Sequence, residues 1–145
     1  MSAFEDLEIL LVEDNEGDIR LTIEAFKEAK IRNHIRVVRD GEEALAYLKK
    51  EAAYADVQTP DIILLDINLP KVDGKEVLHE LKKSPILKRI PVIMLTTSSA
   101  ELDVQESYAN HANSYVIKPV DLGKFMEVIR SIEEYWISIV KLPSR

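Results

Sequence analysis

Polar residues of complementary chemistry stand directly after four apolar runs. Glu13 and Asp14 follow Ile9-Leu10-Leu11-Val12, and Asp66 follows Ile62-Ile63-Leu64-Leu65. Thr96 follows Pro91-Val92-Ile93-Met94-Leu95, and Lys118 follows Ser114-Tyr115-Val116-Ile117. Taken singly, each is an ordinary strand-end residue that caps the next helix or faces water. Together they supply three carboxylates, a hydroxyl and an ammonium. Carboxylates crowded side by side remain ionised only if a cation compensates their repulsion. Oxygen-only donors in a chain without cysteine favour a hard cation. Magnesium suits them best, because it takes few protein oxygens and keeps positions for water and phosphate, whereas calcium wants a fuller cage. Such a cation neutralises charge during in-line phosphoryl transfer and leaves one aspartate oxygen as nucleophile. Lys118 would then pair with the new phosphoryl charge as a point cation, and the Thr96 hydroxyl would donate a hydrogen bond to it.

This chemistry requires that the four runs be neighbouring parallel strands. Five strand-length runs are present, the remaining one, second along the chain, being Ile35-Arg36-Val37-Val38. Between them lie stretches with helical spacing: Ile19, Ile23 and Phe26; Ala44, Leu45 and Leu48; Val77, Leu78 and Leu81. The first, third and fourth strands in space of sequence are apolar almost end to end, as in a parallel sheet covered on both faces by helices. An α/β sandwich follows. All strand C-termini of a parallel sheet share one edge, where ligands of open α/β sheets bind, so Glu13, Asp14, Asp66, Thr96 and Lys118 should converge. Asp73-Gly74 gives turn chemistry before the third helix, Pro85 falls near that helix's end, and Asp121 can cap the last helix. Residues 51–60 are read as an extended connection. No repeat or linker divides the chain, which is read as one domain over 1–145.

The segments Leu11-Val12-Glu13-Asp14, Leu64-Leu65-Asp66-Ile67-Asn68-Leu69-Pro70, Leu95-Thr96-Thr97-Ser98 and Tyr115-Val116-Ile117-Lys118-Pro119 resemble the response-regulator receiver family. The resemblance covers nearly the whole chain. It implies a flavodoxin-like, doubly wound, five-stranded parallel sheet of order 2-1-3-4-5. It implies that Asp66 is the phosphoacceptor, that Asp14, Asp66 and the main-chain carbonyl of Asn68 hold Mg2+, and that Glu13 acts through water. Lys118 and Thr96 become switch contacts, Tyr115 moves inward on activation, and the change reaches the surface of the fourth helix, fifth strand and fifth helix. Lys118-Pro119 is implied to be cis, a form that only bonds before proline adopt at modest cost. Thr97 stands where a small residue is frequent and Ser98 where an acidic one can appear, two positions that bear on phosphoryl lifetime.

A net charge of -7 opposes attraction to nucleic acid or anionic membranes, and no apolar run approaches a membrane span. An acidic N-terminus, Met1 to Asp6, lacks the basic region of a signal peptide, so the expected compartment is the cytoplasm. After Pro119 an apolar stripe of Leu122, Phe125, Met126, Ile129, Ile132, Trp136, Ile137 and Val140 is long for a helix covering one sheet face. The excess, 133–145, is read as a C-terminal extension that carries Tyr135 and Trp136 and builds a homodimer. That extension and the 51–60 segment also resemble small regulators paired with phytochrome-type histidine kinases. After Arg130 too little sequence remains for an output module, and His34, His79 and His111 are scattered, so the expected partners are a histidine kinase and a downstream protein.

Three other readings meet specific obstacles. An aspartyl-phosphate hydrolase needs an acid/base aspartate two places after its nucleophile, where this chain has the amide Asn68. The chain is therefore read as a phosphoacceptor rather than an enzyme. A nucleotide or flavin binder needs an anion-binding first turn, but Glu13-Asp14-Asn15-Glu16 repels phosphate. A receiver-like docking module that takes no phosphate would have little use for the intact acidic, hydroxyl and lysine positions.

Overall fold

The computed structural model describes residues 7–28, 33–96 and 114–117, together with Gly123 and Glu127. Its strands are β1 (Leu7–Val12), β2 (Asn33–Val38), β3 (Ile62–Asp66), β4 (Val92–Thr96) and β5 (Ser114–Ile117), with helices α1 (Glu16–Glu28), α2 (Gly41–Leu48) and α3 (Gly74–Lys83) between them. The sheet order is β2-β1-β3-β4-β5, and every pairing is parallel. Parallel neighbours cannot be joined by tight hairpins, and the connections from β1 through β4 accordingly carry α1, α2 and α3 over the faces of the sheet.

Alternation along the strands sorts the core into two layers. Leu7, Ile9 and Leu11 join Ile62, Leu64, Ile93 and Leu95 beneath Ile19, Ala25 and Phe26 of α1. Leu10, Val12, Ile63, Leu65, Val92 and Met94 face the other way, against Ala44 and Leu48 of α2 and Val77, Leu78 and Leu81 of α3. Residues 62–65 are fully buried, which is why β3 reads as an unbroken apolar run. Each buried Leu or Ile contributes about 1.5–3 kcal/mol relative to exposure.

Helix starts follow local chemistry. Asp40 Oδ1 accepts the Glu43 N–H at 2.7 Å, and Asp73 Oδ1 accepts the Glu76 N–H at 3.0 Å, so both act as N-caps. α3 stops at Lys83, with Ser84 as C-cap and Pro85 next, because a residue before proline disfavours helical geometry. The 51–60 connection is not extended throughout. Ala52–Tyr54 form a 3-10 turn, and Tyr54 packs on Tyr47 of α2 with ring centroids 5.1 Å apart. That contact draws the segment against α2, a tertiary effect that local spacing does not reveal. A second 3-10 turn, Leu87–Arg89, precedes β4. Of the last helix only Gly123 and Glu127 are described, both helical; its apolar stripe, the 133–145 extension and the Lys118-Pro119 bond lie outside the described residues.

Among the described residues, no helix is long and apolar enough to cross a membrane.

Candidate metal centre

β1 ends by delivering Glu13 and Asp14 to the C-terminal edge of the sheet. The Glu13 N–H donates to the Val38 carbonyl at 3.0 Å, which extends the β1–β2 pairing one residue past the strand. Glu13 Oε2 then accepts the Asn15 N–H at 3.2 Å, and Asn15 Oδ1 accepts the Asp18 N–H at 2.9 Å. This chain of bonds turns the backbone from β1 into α1. It leaves Glu13 fully buried while Asp14 is exposed.

Two strands are joined through the next carboxylate. Asp66 is the last residue of β3 and pairs with Leu95, and the following Ile67 N–H donates to the Leu95 carbonyl at 3.0 Å. Asp66 is only 3% exposed. Its Oδ1 accepts the Asn68 N–H at 3.2 Å, so the residue two places on orients the acid.

Carboxylate oxygens of Glu13, Asp14 and Asp66 all lie within 4.8 Å of one another. Two of the three are buried and one is exposed, which makes a cluster that is open on the Asp14 side. The donor chemistry fits a hard divalent cation: three oxygens, no nitrogen or sulfur, and like charges that need compensation out of bulk water. The convergence read from the strand ends therefore holds for these three residues.

Thr96 closes β4, pairing with Ile117 of β5, and Tyr115 pairs with Met94. The backbone thus sets both at the expected strand positions. Lys118, Thr97 and Ser98 lie outside the described residues. Asn68 is exposed on the loop between β3 and α3. Of the histidines, His34 is exposed and sits 3.1 Å from Glu8 through Nδ1, and His79 is exposed on α3; neither approaches the acidic cluster in sequence or strand position.

Sequence reasoning missed the contribution of α2. The Gly41 N–H donates to the Pro70 carbonyl at 3.4 Å, and the Asp40 carboxylate lies 3.7 Å from Lys71 Nζ. Asp40-Gly41 repeats the Asp-Gly signal of Asp73-Gly74, and that dipeptide was the available clue to a tight approach.

Comparison with known proteins converges on one family. The family model for the response regulator receiver domain matches residues 9–130. Response regulator Rcp1 of Synechocystis sp. is 46% identical over 136 residues, covering 94% of this chain and 92% of that protein. The crystal structure of the phosphorylated cyanobacterial phytochrome response regulator RcpA superposes with a TM-score of 0.79 at 49% identity, covering 96% of this chain and 99% of that one. The Mn2+-bound form of Rcp1 gives a TM-score of 0.77 at 45% identity, covering 95% and 99%.

Proposed function

The chain belongs to the response regulator receiver family, and from that premise we propose that Asp66 accepts a phosphoryl group from a histidine kinase in a magnesium-dependent reaction. The observation that carries this reading is the cluster of Glu13, Asp14 and Asp66 oxygens within 4.8 Å, with Asp66 at the end of a central strand.

Asp14, Asp66 and the Asn68 carbonyl would hold the cation, with Glu13 acting through water. A magnesium ion held there would supply neutralisation of the charge that develops on the transferring phosphoryl oxygens. One Asp66 oxygen forms the new bond to phosphorus as the phosphorus–nitrogen bond of the donor phosphohistidine breaks, and that electron pair returns to the imidazole. The Asn68 N–H on Oδ1 holds the carboxylate in one orientation during attack. Lys118 then pairs with the acquired charge and the Thr96 hydroxyl donates to it. Thr96 is drawn toward the phosphoryl group, Tyr115 turns inward, and the surface of the fourth helix, fifth strand and fifth helix carries the signal to a downstream protein.

The chain is a phosphoacceptor that assists its own phosphorylation and dephosphorylation rather than an enzyme with a separate substrate. Relatives described as phytochrome response regulators support a phytochrome-type kinase as the donor. The receiver domain acts in the cytoplasm and dimerises through its C-terminal helix region, without binding nucleic acid or membrane directly.

Intact-mass spectrometry of the wild-type chain and Asp66→Asn, after incubation with a small phosphodonor with and without magnesium, tests the acceptor assignment. One added phosphoryl group on the wild type, absent from the variant and from the magnesium-free sample, is expected. No adduct on folded wild type, together with no response to a stable phosphoryl mimic, would replace this reading with a phosphate-independent docking module.

A further inference from the structure

The loop of residues 67–73 carries Asn68 from β3 to α3 and is gripped at both ends by backbone that approaches too closely for a side chain. At its far end, a Cβ on Gly74 would lie 2.1 Å from the Asp66 carbonyl oxygen and 2.8 Å from Ile67 Cα. The Gly74 N–H donates to the Ile67 carbonyl at 2.9 Å, which closes the loop on itself. That grip is internal to the β3–α3 connection.

Another grip comes from outside. A Cβ on Gly41, in the first turn of α2, would lie 1.7 Å from the Val72 carbonyl oxygen, 2.6 Å from its carbonyl carbon and 2.8 Å from Val72 Cβ. All three distances fall below the 3.0 Å that real Cβ contacts respect, and two of the three atoms are backbone, which cannot rotate away. The same glycine donates its N–H to Pro70, and its neighbour Asp40 faces Lys71 Nζ at 3.7 Å. Between these contacts Lys71 holds a φ of 66°, a left-handed conformation uncommon for a non-glycine residue and sustained only where surroundings impose it. Pro70, Lys71 and Val72 are thus fixed in turn by a helix that contributes no residue to the acidic cluster.

We propose that Gly41 is a positioning residue for the phosphoacceptor site: the side-chain-free first turn of α2 clamps the 70–72 segment and thereby sets the Asn68 backbone against Asp66. The proposal rests on the reading that Asp14, Asp66 and the Asn68 carbonyl hold the cation. Alanine at 41 pushes the Val72 carbonyl outward by more than an ångström. The displacement runs back along three residues to Asn68, whose N–H orients Asp66 Oδ1 and whose carbonyl is the backbone ligand.

The test uses amide NMR of the full chain, free of metal and then titrated with magnesium. Gly41→Ala is expected to shift the Ile67 and Asn68 amides in the metal-free protein while leaving those of β1 in place. It should weaken magnesium binding by about tenfold, the scale seen when a residue that orients a ligand is changed. Glu42→Ala, an exposed change in the same turn, should do neither. A folded Gly41→Ala chain with wild-type magnesium affinity overturns the proposal. Should that variant fail to fold, Asp40→Ser decides, because serine keeps the helix cap and removes the carboxylate that faces Lys71. A weakening of about twofold supports the clamp, in keeping with a half-exposed ion pair, and an unchanged constant overturns it. A wild-type chain that ignores magnesium sinks the reading of the site itself, an outcome separate from failure of the variants.

Discussion

Asn68 donates its backbone N–H to Oδ1 of Asp66 at 3.2 Å, so the acid is oriented by the loop that follows it rather than by its own strand. An asparagine side chain at 66 can accept the same bond. Asp66→Asn therefore keeps this contact while removing one of three clustered negative charges. Relief of that repulsion should stabilise the metal-free protein by on the order of 1 kcal/mol. Thermal unfolding in the presence of a chelator would reveal it as a higher midpoint. A lower midpoint would mean that the Asp66 charge is already compensated within the chain.

Asp14 is the exposed member of the cluster and Glu13 and Asp66 are its buried members. Asp14→Ala should leave the core untouched and remove a metal ligand. Magnesium affinity is expected to fall by at least about tenfold, the lower range for loss of a ligand-orienting group. Magnesium raises the unfolding midpoint in proportion to its binding, so the variant should lose most of that increase. Equal magnesium-induced shifts in the two proteins would remove Asp14 from the ligand set.

From Leu122 to Val140 the sequence repeats apolar residues at helical spacing, the pattern from which a homodimer through this region is proposed. Sedimentation velocity of the full chain is expected to show a dimer, and a chain ended after Ser131 is expected to sediment as a monomer. A full chain that is monomeric at every concentration tested would defeat the interface assignment.

How far the sequence disclosed this arrangement depends on the range of the interaction. Glu13, Asp14 and Asp66 could be brought together on paper because a parallel sheet places strand C-termini at one edge, and strands such as 62–65 declare their burial by composition. The helix start read at Asp73 is governed by a bond spanning three residues, a distance over which side-chain chemistry is decisive; the equivalent cap at Asp40 emerges only from the structure. By contrast, the Tyr47–Tyr54 contact, the 3-10 turn beside it and the left-handed Lys71 all depend on one segment meeting another. Gly41 shows the difference most clearly: its dipeptide signals a turn, but its steric role exists only because the Val72 carbonyl arrives from a different connection.

Stability in alkali should carry two opposing contributions. Burial pushes the Tyr47 phenol above its ordinary value of about 10. The Arg36 guanidinium opposes that shift and the Glu8 carboxylate adds to it. Burial, followed by a hydrogen bond to Glu43, also raises Tyr54. A phenol whose pKa is higher in the folded state contributes stability that is fully present below about pH 10 and is lost as pH climbs through the folded value. Lys82 has the reverse sign. Burial lowers its ammonium, so the folded chain carries a penalty at neutral pH that is relieved as pH rises from the lowered value toward the unfolded one of about 10.4. Unfolding free energy should therefore rise on approach to about pH 10 and decline beyond it. Tyr47→Phe keeps the ring against Tyr54 and removes one of the titrating phenols, so its decline beyond about pH 10 should be shallower than that of the wild type. Urea denaturation across this range measures both curves, and parallel declines would show that Tyr47 does not titrate with unfolding.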